Sequence, residues 1–206
     1  MSNRMRGERN PDLTRKRILE AAFQAIYRNG FQGTRLDEII KSTGLTKGAL
    51  YHHFPNKQAL GYAVVEEIVA GMIDELWLQP LRDTNDPLGT LVRTIDQLET
   101  RPGEQLITLG CPLNNLAQEM SALDEGFRQR LSRLFQRWQD GLQDALDRAA
   151  RMGHIRPETD TGAAAAFIIA ALEGCIGMAK NAQDMDRLKV CTAGLVDYLR
   201  ALQRAH

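Results

Sequence analysis

Cysteine is scarce in this chain and irregularly placed. Cys111, Cys175 and Cys191 are the three among 206 residues, and their spacing fits neither a disulfide framework nor a zinc site. A disulfide-stapled secreted scaffold is thereby excluded, and the default compartment is the reducing cytoplasm. Long β-branched runs alternating with polar residues are missing, which argues against a sheet. No run approaches the roughly 20 apolar residues of a membrane span, and the opening MSNRMRGERNPD lacks the apolar centre of a signal peptide. The sequence therefore predicts a cytoplasmic protein with no membrane partner. The four histidines, His52, His53, His154 and His206, form no helical HxxxH pair and have no cluster of acids beside them, so neither a metal site nor a cofactor is expected.

Net charge is also missing, but only as a total. The chain holds 26 basic and 26 acidic residues. Residues 1 to 57 contain eleven Lys and Arg (Arg4, Arg6, Arg9, Arg15, Lys16, Arg17, Arg28, Arg35, Lys41, Lys47, Lys57) against five acids (Glu8, Asp12, Glu20, Asp37, Glu38), a balance of +6, so the remainder carries −6. A basic head on an acidic body directs the head toward phosphate and keeps the body away from it.

What is abundant is helical periodicity. A first helix is predicted from Asp12 to Asn29, with Ile18, Ala21, Ala22, Ala25 and Ile26 on one face and Gly30 closing it. A long helix is predicted from Lys57 to about Gln79, ended by Pro80. Others are predicted at Asp86 to Arg101, Pro112 to Met120, Asp124 to Met152, Thr159 to Asn181 and Met185 to Ala205. The fold class is all-α: a three-helix head at 1–56 and a helical-bundle domain at 57–206. The last two helices carry apolar and small residues at helical spacing. Ala164, Ile168, Ala171, Leu172 and Cys175 on one, with Leu195, Tyr198 and Leu202 on the other, are candidates for a four-helix dimer interface, because small residues let helices approach closely. Cys175 and Cys191 read as packing residues.

The most informative stretch is Thr34 to Lys57, TRLDEIIKSTGLTKGALYHHFPNK. It reads as two short helices joined by a tight turn. Thr34 is placed to cap the first, with Asp37 three residues on. Gly44 suits a left-handed residue at its end, and Thr46 caps the second helix, Lys47 to about His53. Leu50 and Phe54 can face inward while Lys47, Ala49, Tyr51 and His53 face outward, a set that suits a DNA major groove.

These residues carry a resemblance to the TetR family of transcriptional repressors. The pattern runs through Ile18-Leu19, Ala21-Ala22, Gly30-Phe31, Thr34, Ile39, Thr43-Gly44-Leu45-Thr46, Gly48, Leu50-Tyr51, His53-Phe54, Lys57 and Leu60. Ile40 departs from it, where the family usually has alanine, as does Arg35, where a second threonine or serine is common. The resemblance implies about nine helices in all, a homodimer, an operator of double-stranded, palindromic DNA, and a body at 57–206 for ligand sensing and dimerisation that holds a pocket for a small-molecule inducer. The DNA-contacting set it implies is Thr34, Arg35, Thr46, Lys47, Gly48, Ala49, Tyr51, His52, His53 and Lys57. Gly48 lets the helix backbone approach DNA, while Thr34, Arg35 and Lys57 hold phosphates.

In the body, Leu109-Gly110-Cys111-Pro112-Leu113-Asn114-Asn115 puts Cys111 at a helix cap, where the helix dipole can lower a thiol pKa. The segment resembles that of an electrophile- and redox-sensing branch of the family, which implies a sensor role for Cys111 with Lys180 nearby to favour thiolate. Candidate pocket residues are Met72, Trp77, Leu98, Leu113, Leu116, Phe127, Trp138 and Phe167. Two other readings are a helical protein-interaction module without DNA binding and a cysteine-dependent hydrolase pairing Cys111 with His154. The first conflicts with the intact Lys47, Tyr51, His53 and Lys57. The second lacks a glycine-rich oxyanion loop and an orienting acid, so no enzyme is expected.

Overall fold

The computed structural model describes residues 11–100 and 103–204; Arg4, Glu8, Arg6, Arg9, Arg101, Ala205 and His206 lie outside them. The chain divides into two compact units, the first ending at Ile68 and the second starting at Val69.

In the first unit, α1 (Pro11–Gly33) is interrupted at Gly30, where φ is 73°. This left-handed position is where the sequence closes the helix, and glycine adopts it without a Cβ clash. α2 (Leu36–Thr43) and α3 (Lys47–His53) follow. The core is Ile18, Leu19, Ala22, Ile26, Phe31, Ile39, Leu50, Phe54 and Leu60, all buried. Truncating one such leucine costs about 2–5 kcal/mol. Two cations of the head serve this architecture. Arg15 donates to both oxygens of Glu67 at 2.6 and 2.5 Å and lies over the Phe54 ring. That hydrogen-bonded contact holds the Glu67 carboxyl below its ordinary range. Arg17 donates to the Thr43 carbonyl at 2.9 Å.

Helical backbone is unbroken over 57–82 and is called α4; Lys57–Ala63, Ala70–Ile73 and Gln79–Arg82 alternate with wider π-type turns at Val64–Val69 and Asp74–Leu78. Pro80 therefore does not end the helix. It sits in the first turn after a π-type turn, where its missing N–H disturbs the ladder least.

The second unit continues with α5 (Pro87–Asp96, extended by a 3-10 turn at Gln97–Glu99), α6 (Gly103–Leu109), α7 (Pro112–Met120), α8 (Glu125–Arg151), α9 (Thr161–Ala182) and α10 (Met185–Leu202). α6 is a helix the periodicity does not predict. Aspartates cap four of these helices, Asp184 at α10 by accepting from the Asp186 N–H at 2.9 Å. Asp86, Asp124 and Asp160 each accept from the backbone N–H three residues on, at 2.9 Å, an arrangement that contributes about 1 kcal/mol. α9 packs on α10 and α8, and its mean hydropathy reaches 1.8. By length and composition alone α9 could cross a bilayer, which corrects the expectation that no run comes close. Half of that window is buried inside the unit.

The α9–α10 hairpin brings Cys175 and Cys191 together as a disulfide, with Cα atoms 5.4 Å apart. This overturns the reading of both as packing residues. Helix pairing, not sequence spacing, makes them neighbours. Cys111 is the remaining, free cysteine and is buried.

Candidate nucleic-acid interface

α2 ends at Gly44, in the left-handed conformation with φ 64° and ψ 14°. Thr46 then opens α3, its hydroxyl accepting from the Ala49 N–H at 3.2 Å. Leu50 and Phe54 point into the core, which forces the rest of α3 outward. Lys47, Gly48, Tyr51 and His52 are exposed; Ala49 and His53 are half-buried. Lys47 lies 4.0 Å from Asp37 and 6.0 Å from the Tyr51 ring centre. Both partners are solvent-exposed, so the pair is weak and the ammonium can exchange it for phosphate. Arg35 is exposed at the start of α2. Lys57 donates to the Gln32 carbonyl at 3.2 Å and sits 4.6 Å from the Phe31 ring centre, so it ties α4 to the end of α1 while keeping its charge at the surface.

One member of the expected set is placed differently. Thr34 does not cap α2; the cap position is Arg35, without a side-chain bond. Thr34 is 3% exposed and its hydroxyl donates to the Gly30 carbonyl at 2.7 Å. The kink at Gly30 turns that carbonyl toward it, so the hydroxyl is committed inside the head instead of facing DNA. Ile40 is half-buried.

Gly48 is not required by packing. An added Cβ would meet no atom closer than Thr46 Oγ1 at 4.0 Å. Gly48→Ala is therefore expected to leave the melting temperature unchanged or raise it, since alanine favours a helix by up to about 1 kcal/mol. The same change should weaken DNA binding if α3 enters the major groove, because the new methyl stands on its exposed side. Thermal melting and a DNA titration of one preparation check both halves.

In the body, Cys111 occupies the cap of α7, as expected, but the expected low thiol pKa is overturned. Burial pushes the thiol well above its ordinary value and the Glu173 charge adds to this; the Asn114 and Leu113 N–H groups of the helix start lower it and are outweighed. Lys180 does not supply an offsetting charge. Its ammonium donates to Asn115 Oδ1 at 2.9 Å, and its stem crosses Gly110, where a Cβ would come within 2.8 Å of it. Asn115 in turn donates to the Leu109 carbonyl at 2.6 Å.

The sequence reading missed Glu173. It is buried in α9 beside Cys111 and Asn114, and burial raises its carboxyl to about 7. The available signal was a single acid inside an otherwise apolar stretch of helix.

The pocket and dimer candidates also need correction. Trp77, Leu98, Leu113, Leu116, Phe127 and Trp138 are buried, with Trp77 and Trp138 rings 5.4 Å apart. Met72 and Phe167 are exposed, at 41% and 50%, so they are not core-facing. None of the eight lines either of two cavities of the body. One, of about 300 Å³, is lined by Asp86, Pro87, Leu88, Ala149, Gly153, His154, Gln203 and Arg204. The other, about 530 Å³, lies beside Leu78, Leu81 and Arg82 and the Arg133–Arg148 stretch of α8. Cys111 is not in the cavity that His154 lines, which removes support for a thiol–imidazole pair. Of the dimer candidates, Ala164, Ile168, Leu172, Cys175, Leu195 and Leu202 are buried within the single chain; Ala171 and Tyr198 are half-buried. α9 is apolar on nearly every side, so periodicity could not choose its outer face. That outer face is Ala163, Ala166, Phe167, Ala170, Gly174, Gly177 and Met178. Phe167 meets Tyr198 of α10 edge-on at 4.7 Å.

Comparisons with known proteins agree with the helix-turn-helix head. The family described as bacterial regulatory proteins, tetR family, matches residues 18–64, and the tetracyclin repressor-like C-terminal domain matches residues 87–195. An uncharacterized HTH-type transcriptional regulator in the lacX 3' region of Lactococcus lactis subsp. lactis is 32% identical over 176 residues, spanning 85% of this chain and 88% of that protein. The HTH-type transcriptional repressor DhaR of Mycobacterium sp. (strain GP1) is 25% identical over 169 residues, 79% of this chain and 80% of DhaR. The crystal structure of a regulatory protein TetR from Rhodobacter sphaeroides superposes with a TM-score of 0.81 at 27% identity, covering 90% of this chain and 98% of that one. The chain belongs to the TetR family of helix-turn-helix transcriptional regulators.

Proposed function

We propose that the protein is a cytoplasmic homodimeric repressor that occupies a palindromic operator and leaves it when a small molecule binds the body. The observation that carries the dimer is the uncovered apolar face of α9 and α10. Phe167, Met178 and Val190 are 50%, 58% and 77% exposed, and Ala163, Ala166, Ala170, Gly174 and Gly177 beside Phe167 and Met178 leave α9 flat enough for a second copy. Two heads are what a palindrome needs, with half-sites separated by about one helical turn, ~34–36 Å. Repression is supported by the name DhaR carries. Arg35, Lys47 and Lys57 supply phosphate contacts, and Lys47, Ala49 and Tyr51 reach base edges. Helical backbone continues without a break across Ile68, a route by which ligand binding can alter the head.

Reversible binding is favoured over reaction at Cys111, because a buried thiol with a raised pKa is a poor nucleophile. Fluorescence anisotropy with duplex DNA from upstream of the protein's own gene, against scrambled duplex, tests the reading. Specific binding should weaken steeply with salt, by about 0.9 log unit of affinity per log unit of salt for each neutralised phosphate. Affinity that is indifferent to salt would favour a protein-interaction module.

A further inference from the structure

A disulfide is out of place in a protein read as cytoplasmic. Reducing compartments keep thiols open, and the disulfides found there are mostly transient ones that serve catalysis or redox sensing. Cys175 and Cys191 form one all the same, joining α9 to α10 across 16 residues of chain with Cα atoms 5.4 Å apart. The hairpin also has an apolar core: Ile168 and Leu172 on α9, with Leu188, Leu195 and Leu199 on α10, are buried. The two sulfur-bearing residues differ in access. Cys175 is 2% exposed, whereas Cys191 is half-buried.

The bond lies at the edge of the uncovered face of this hairpin. Gly174 precedes Cys175 and is exposed, and Val190, 77% exposed, precedes Cys191. On α10, helical spacing puts Arg187, Cys191, Gly194 and Tyr198 on one side. Tyr198 there meets Phe167, which is 50% exposed on α9. Gly174, Gly177 and Gly194 are exposed, and an added Cβ at any of them would meet no other helix within 4 Å. Glycine weakens a helix, and packing inside the chain does not ask for it at these three positions. A second copy docked on this face would.

We propose that Cys175 and Cys191 are a reversible redox switch for subunit pairing, the disulfide form dimerising more tightly than the dithiol. This rests on the reading of the protein as a cytoplasmic dimer paired through α9 and α10. The chemistry is exchange with a low-molecular-weight thiol. Its thiolate attacks Cys191 Sγ on the separated protomer, where that residue is within reach. The S–S bond breaks, and Cys175 Sγ leaves with the electron pair and takes up a proton. A second small thiolate attacks the small-molecule sulfur of the mixed disulfide. Cys191 is released and protonated, and the small-molecule disulfide departs. Two electrons have passed to the protein, and the same small disulfide is the oxidant of the reverse reaction. The bond acts on pairing by restricting the hairpin beforehand, so less freedom is lost when the second copy docks. Cys111 takes no part, being buried and far above its ordinary thiol pKa.

The test equilibrates the full chain with glutathione, either reduced or as its disulfide, and then removes the small molecules. Alkylation after unfolding should count all three cysteines in the reduced sample and Cys111 alone in the oxidised one. Sedimentation velocity over a dilution series then gives the dimer dissociation constant of each. The dithiol form should dissociate at a concentration about tenfold higher or more. C175A/C191A should match the reduced protein in either buffer, and Cys111→Ala should respond as the unmodified chain does. The comparison of the two forms of the unmodified protein stands even where a variant fails to fold. A bond that reduced glutathione leaves closed in the folded protein is a permanent brace and overturns the proposal. So does a response that Cys111→Ala abolishes. Equal dimer constants in the two forms sink this inference alone; a protein monomeric in both sinks the dimer reading with it.

Discussion

At pH 8 the Glu173→Gln protein is expected to be more stable than the unmodified chain by up to about 3 kcal/mol. The size follows from a carboxyl whose pKa rises from the ordinary 4.5 to about 7 on folding, at about 1.4 kcal/mol per unit. The sign is fixed by which state holds the proton more tightly. The folded state does, so stability falls as pH rises from 4.5 to 7 and levels off above 7. Glutamine is neutral throughout and escapes that loss. At pH 4.5 the two proteins should therefore melt close together. At pH 8 the glutamine variant should melt several degrees higher, given about 2–4 °C per kcal/mol for a chain of this size. Calorimetric melting at the two pH values decides it. A constant gap would mean that Glu173 does not titrate in the folded state.

Arginine at Phe167 should separate the two subunits and lower operator affinity by about 100-fold or more. Phe167 is half-exposed and its main partner is the Tyr198 ring, so the fold loses only the aromatic contact, about 0.5–1.5 kcal/mol. In a symmetric pairing the same side chain recurs near the axis, and a charge buried there has nothing to offset it. Without the partner, each head binds one half-site and the gain from linking two heads is lost. Sedimentation velocity gives the mass and anisotropy the affinity. A Phe167→Arg protein that sediments as a dimer would move the interface elsewhere. By contrast, arginine at the buried Leu172 should unfold the body, because that side chain lies in the single-chain core.

The sequence made the head legible because its signals are local. Gly44 is read from the left-handed residue a helix end requires, Thr46 from its capping hydroxyl, and Leu50 and Phe54 from their spacing. The structure places all four as read. Thr34 failed because Ser and Thr can cap forward or bond backward, and the kink at Gly30 presented a carbonyl behind it. In the body, long amphipathic α8 is unambiguous, whereas seven-residue α6 is too short for a period to declare itself. The outer face of α9 was illegible for a different reason. A helix apolar on all sides buries whichever face its neighbours cover, and that is a tertiary fact. The Cys175–Cys191 bond and the meeting of Cys111 with Glu173 likewise arise from helices packed side by side. The thiol shows how competing effects are settled by magnitude: the helix start lowers its pKa as expected, but burial and a neighbouring carboxylate act the other way and win.

The measurement that bears most directly on the central claim is selection of bound sequences from a random duplex pool by the full-length protein. The account predicts one enriched motif, palindromic, with half-sites about one helical turn apart, and its enrichment abolished by Lys47→Ala combined with Tyr51→Ala. A pool that emerges without any enriched motif, at a salt concentration where the protein still binds DNA, would contradict sequence-specific reading by α3.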